Sequence, residues 1–165
     1  MIPIPPGILA ARLDTVIVES PYAGDIELNT AYARACLLDC FSRNEAPFAS
    51  HLLYPQVLDE AEPEGRALGI AAGLRIGTDI LDSTLGKVVF YEDLGWSPGM
   101  HAADEFYRGY CVASSLRYET ERRRLSNFDK WLEGYRASHV MPELARNELA
   151  QQMTEARNNR PEPDA

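Results

Sequence analysis

At 165 residues the chain is long enough for one domain with a sizeable core and too short for two comfortable ones, and its composition is that of an ordinary globular protein. With 16 Lys and Arg against 25 Asp and Glu, the formal charge of −9 argues against a duplex nucleic-acid partner, whose phosphates need clustered cations. A small phosphorylated ligand stays open, because one Arg or one helix N-terminus suffices for it.

Residues 1–13 are proline-rich and read as a loose arm. They carry no basic region ahead of an apolar core, so no secretory signal is expected, and no apolar run approaches the roughly 20 residues of a membrane span. A cytoplasmic protein is expected. The β-branched, uncharged Val16-Ile17-Val18 marks a first strand over Thr15–Glu19, covered on both faces. It runs straight into the turn Glu19-Ser20-Pro21-Tyr22-Ala23-Gly24. Asp25 caps a first helix that reaches Ser42, with Ile26, Leu28, Ala31, Ala35, Cys36 and Leu38 as its apolar positions. Cys36 and Cys40 share a helical face. With Cys111 they make an odd count without metal-ligand spacing, so buried thiols are expected, and no metal or cofactor.

Ala46-Pro47-Phe48-Ala49 reads as a second strand, and Pro47 puts it at an edge. Ser50 to Pro55 form its C-terminal loop, and an acidic excursion covers residues 55–63. A second helix follows over Glu64–Ser83, with Leu68, Ala71, Ala72, Ile76, Ile80 and Leu81 at helical spacing. Gly69, Gly73 and Gly77 form a stripe that costs helix propensity and lets a neighbour come close; packing on the sheet is the expected cause. Lys87–Tyr91 is the third strand and Glu92–Ser97 its loop. Ser97 caps a third helix with Pro98 at its first position, running to Gly109. Cys111–Leu116 reads as a fourth strand. The alternation predicts an α/β domain over residues 14–118, with a parallel sheet of four to five strands and helices on both faces.

The charge run from Glu119 to Arg124 reads as a solvated helix face. Phe128, Trp131, Leu132 and Tyr135 form an apolar stripe, and Pro142–Arg157 a last helix. These C-terminal helices pack back on the domain or onto a second subunit, and a homo-oligomer through them is expected. Residues 158–165 read as a disordered tail.

In a parallel sheet the loops after the strands meet at one rim. They supply Glu19, Ser20, Pro21, Tyr22 and Gly24; then Ser50, His51 and Tyr54; then Tyr91, Asp93, Ser97, Pro98, Gly99 and Met100. Asn29 and Tyr32 of the first helix can face the same pocket, whereas Arg34 belongs on the surface. The start of the third helix and a backbone nest near Gly24 suit an anion, although a capped helix start is equally common without a ligand. His51 reads as an acid, a base or a phosphate donor, or else as a structural histidine on a carbonyl. Glu19, at a strand end, suits acid–base work if partly buried, or else accepts turn N–H groups.

Glu19-Ser-Pro-Tyr-Ala-Gly24, Asn29-x-x-Tyr-Ala-Arg-Ala-Cys36, Ala46-Pro-Phe-Ala-Ser-His-Leu-Leu-Tyr54 and Asp93-Leu-Gly-Trp-Ser-Pro-Gly-Met100 resemble an uncharacterised family of phage and bacterial proteins. That family is itself similar to the nucleoside 2-deoxyribosyltransferases and the nucleotide N-glycosidases. The resemblance spans Thr15 to Tyr118. It implies a flavodoxin-like or Rossmann-like fold, a nucleoside or nucleotide pocket, an oligomer, and a bacterial or phage-infected host cell. In those enzymes a Gly-Met segment opens a helix whose glutamate attacks the sugar C1′. Here Gly99-Met100 is followed by His101, Ala102 and Ala103. Asp104 and Glu105 come about 100° and 200° further round the helix, so Glu19 or Asp93 is left as the carboxylate. Three functions follow as expectations: cleavage or transfer at an N-glycosidic bond, a nucleotide-binding sensor or sponge without turnover, and an oligomer with a vestigial pocket.

Overall fold

The computed structural model describes residues 13–59, 61–83 and 86–139. The chain divides into two units, residues 1–125 and 126–165.

In the first unit β1 (Asp14–Glu19) leads into α1 (Ile26–Ser42) and then β2 (Glu45–Phe48). Two 3-10 turns, Ser50–Leu52 and Tyr54–Gln56, precede α2 (Pro63–Leu81), β3 (Lys87–Tyr91), α3 (Pro98–Ala113) and β4 (Thr120–Arg123). The four strands are all parallel, in the order β2-β1-β3-β4, which is the flavodoxin-like α/β arrangement. Local chemistry sets the helix starts. Asp25 accepts from the Leu28 backbone N–H at 3.0 Å, and Ser97 accepts from that of Met100 at 3.3 Å with Pro98 at the first helical position. Pro47, which has no N–H to give a second neighbour, lies on the edge strand β2.

Two apolar layers cover the sheet. Ile17, Val88 and Phe90 meet Leu81 of α2 and Met100, Ala103, Tyr107 and Cys111 of α3 in one cluster. On α1 the buried stripe is Asn29, Tyr32, Ala33, Cys36 and Cys40, while Ile26 and Leu38, expected inside, are exposed. On α2 the glycines are buried with Thr78 and Leu81, and Leu68 and Ile76 face outward. A Cβ on Gly69, Gly73 or Gly77 would meet Tyr54, Ser50 or Tyr107 respectively, so the stripe seats loop and helix side chains rather than the sheet.

The fourth strand is not Cys111–Leu116. Those residues continue α3 to Ala113 and turn, because Tyr107 and Cys111, four apart, share its buried face. The strand is instead the charged Thr120–Arg123, expected as a helix face. Arg123 is its one buried residue, held by a forked pair with Glu45, Nη1 to Oε2 at 2.6 Å and Nη2 to Oε1 at 2.7 Å. Lys87 reaches Glu45 at 2.8 Å and Glu121 at 3.0 Å, and Arg123 also holds Glu121 at 2.7 Å. Two cations and two carboxylates thus join β2, β3 and β4.

In the second unit residues 128–139 are helical. Phe128, Trp131, Tyr135 and His139 stack in sequence along one face, with ring centroids 5.8, 5.7 and 3.9 Å apart. The expected arm over residues 1–12, the helix over 142–157 and the tail over 158–165 lie outside the described residues. Among the described residues no helix is long and apolar enough to cross a membrane.

Candidate functional site

The chain leaves β1 for β2 by way of α1 and reaches β3, on the other side of β1, by way of α2. The connections therefore diverge at β1, and a crevice opens beyond the carboxyl ends of β1 and β3. A cavity of about 630 Å³ occupies it, within the range of small-molecule sites.

Three loops expected to converge do so. The first contributes Glu19, Ser20, Tyr22 and Gly24, the second Ser50, His51 and Tyr54, and the third Ser97, Pro98, Gly99 and Met100. Five other expected residues, Pro21, Asn29, Tyr32, Tyr91 and Asp93, do not line the cavity; Tyr91 is buried and its hydroxyl donates to Asp39 Oδ2. Pro21 is buried beneath the turn. Asn29 donates to the carbonyls of Tyr22 and Ala23, at 3.0 and 2.9 Å, and so fixes the first loop from behind. Asp93 accepts from the Tyr32 hydroxyl at 2.7 Å and the Leu125 backbone N–H at 3.0 Å, which makes it a brace between α1, the third loop and the segment after β4. Tyr32 is spent on that brace.

Ser20 and His51 form a part-buried pair, with Ser20 Oγ 2.9 Å from His51 Nε2. The Tyr22 ring lies 6.1 Å from the imidazole, tilted by 58°. Gly73 makes the pairing possible, since a Cβ there would stand 2.6 Å from Ser50 Cβ and push the second loop off α2. Burial lowers the His51 pKa to about 4, so the imidazole is neutral at pH 7. Burial also raises the Glu19 carboxyl to about 8. No hydrogen bond or ion pair to Glu19 is made among the described residues, so nothing offsets that desolvation. Glu19 therefore enters the neutral range as a carboxylic acid, a proton donor rather than a nucleophile.

A family model described as a domain of unknown function, DUF7768, matches residues 14–111. The chain belongs to the DUF7768 family. No curated protein and no solved structure matches it. Every cavity-lining residue of this DUF7768 domain falls inside the matched segment, whereas β4 falls outside it.

Sequence reasoning missed the part of the DUF7768 cavity built by helices. Arg66, Ile70 and Leu74 come from α2, Ala102, Ala103 and Tyr107 from α3, and Ile26 from the start of α1. Arg66 is exposed at the mouth, and no partner holds its guanidinium among the described residues. The signal that could have found the helical wall was the glycine stripe, read as closeness to the sheet. Ala102 and Ala103 line the wall near the start of α3, while Asp104 turns away to Tyr118 and Arg108, so α3 brings no carboxylate to the site. The DUF7768 cavity thus holds one neutral acid, one neutral Ser–His pair and one unpaired cation. Among the described residues no group of three or more His, Cys, Asp or Glu is placed to hold a metal ion.

Proposed function

We propose that the cavity takes a nucleoside or nucleotide and that Glu19 donates a proton to the base as the N-glycosidic bond breaks. The observation that carries this reading is the unpartnered, protonated Glu19 beside the Ser20–His51 pair in a cavity of nucleotide size. The resemblance to nucleoside 2-deoxyribosyltransferases and nucleotide N-glycosidases supports the substrate class. In the step, the C1′–N bond breaks and the base nitrogen takes the Glu19 proton. Water adds to C1′, and its surplus proton returns to the Glu19 carboxylate, so atoms and charge balance. Arg66 and the Gly99 N–H at the start of α3 suit a phosphate.

A second reading, a nucleotide held without turnover, is favoured by one observation. Glu19 is the only carboxylate among the described residues that line the cavity, so no second one can act as nucleophile or activate water. Incubation with nucleosides and their 5′-monophosphates separates the two. Free base that fails to appear with Glu19→Gln supports cleavage; binding with the ligand recovered intact supports the second reading; absence of both refutes a nucleotide ligand.

A further inference from the structure

Tyr107 is 1% exposed, yet it lines the cavity, and no protein group among the described residues hydrogen-bonds its hydroxyl. A buried phenol normally finds a partner for its O–H. The fold moreover makes room for this one. A Cβ on residue 77 would overlap the Tyr107 hydroxyl and stand 2.7 Å from Cε1 and Cζ, so Gly77 is what lets the hydroxyl sit where it does. Glycine inside a helix costs helix propensity, and at position 77 it leaves the Tyr107 hydroxyl its place on the cavity wall. Glu19 acts on the Tyr107 titration and is a second polar group on the cavity wall with no hydrogen-bond partner among the described residues.

We infer that Tyr107 is a ligand-contacting, specificity-determining residue whose hydroxyl, with the Glu19 carboxyl, forms a two-point uncharged floor for a neutral hydroxyl- or amide-bearing edge of the ligand. The inference rests on the nucleoside reading and deepens it. Each floor group both donates and accepts, so together they take an edge that offers a donor beside an acceptor, such as two sugar hydroxyls or the rim of a base. Burial, and secondarily Glu19, push the Tyr107 phenol upward, so it stays protonated and able to donate at all working pH values. An anionic group is turned away from this floor and toward Arg66.

The test is equilibrium binding of adenosine, guanosine, cytidine, uridine and their 5′-monophosphates to wild type, Tyr107→Phe, Glu19→Gln and the double variant, with kcat/KM replacing Kd for any probe that is cleaved. Tyr107→Phe is expected to weaken the best probe about tenfold, as loss of a hydrogen bond at a desolvated edge does. Its thermal midpoint is expected to hold or rise, because the hydroxyl satisfies nothing in the free protein; a merely structural tyrosine would lower it. The double variant loses less than the product of the two single losses, because both groups face one edge. In wild type, the ring ε-carbon resonance of Tyr107 shifts on titration with the best probe, which serves also if the variant does not fold. Wild-type binding left unchanged in Tyr107→Phe, or a Tyr107 resonance that does not move, overturns the Tyr107 inference alone. Failure of wild type to bind any probe overturns the nucleoside reading and this inference with it.

Discussion

Glu19→Gln converts the half-buried acid to a neutral isostere and isolates one contribution to the pH dependence of folding. The Glu19 carboxyl titrates at an ordinary 4.5 when unfolded and at about 8 in the fold, because burial disfavours its charged form. Below 4.5 both states bind the proton and the group has no effect on the balance. Between 4.5 and 8 the unfolded chain gives up the proton while the native state keeps it, so native stability falls as pH rises. The slope is about 1.4 kcal/mol per pH unit, which would amount to about 3 kcal/mol by pH 7. Water reaching the carboxyl through the cavity brings the expected value to about 1–3 kcal/mol. Urea unfolding at pH 4.5, 6, 7 and 8.5 measures it as the difference between Glu19→Gln and wild type. The two are expected to be close at pH 4.5, and the variant increasingly more stable up to pH 8.5. A difference that stays flat across that range refutes a protonated Glu19 at neutral pH, and with it the proton-donor role.

The glycines of α2 and α3 should respond in opposite directions. Gly77→Ala drives a Cβ into the Tyr107 ring and should cost about 1–3 kcal/mol in thermal unfolding, outweighing its helix-propensity gain. Gly109→Ala meets nothing within 4 Å inside α3 and should stabilise by about 0.5–1 kcal/mol; equal responses would contradict the packing described. Arg123→Met strips the forked partner from buried Glu45 and should cost about 3–5 kcal/mol in denaturant titration. A loss under about 1 kcal/mol would mean that Lys87 alone neutralises that carboxylate.

The elements whose cause is local were legible in the sequence. Val16-Ile17-Val18 and Val88-Val89-Phe90 read as covered strands, and Asp25 and Ser97 as caps, because each needs only its immediate neighbours. The three rim loops followed from parallel topology alone, and they bring Glu19, His51 and Ser97 to one cavity. What stayed hidden depends on partners far along the chain. Thr120-Glu-Arg-Arg looks like surface until Glu45 and Lys87, more than 30 residues away, are placed beside it. Cys111-Val-Ala looks like a core strand until the helix phase set by Tyr107 carries it on. Arg66 and Tyr107 enter the cavity because glycines set how closely α2 approaches its neighbours, a distance that no window of sequence displays. Asp93 was read as chemistry for the converse reason. A carboxylate in a strand-end loop looks available until Tyr32 and Leu125 are seen to occupy it.

The forked pair between Arg123 and Glu45 also bears on where this domain can be cut. Residues 14–111 carry every wall of the cavity, but a fragment ending there leaves the outer hydrogen-bonding groups of β3 bare and removes the guanidinium facing Glu45. Such a piece would present a ready template for a foreign strand. The span recognised by family likeness and the span able to stand alone in water are therefore different lengths of chain, and the short acidic-basic segment after α3 is what separates them.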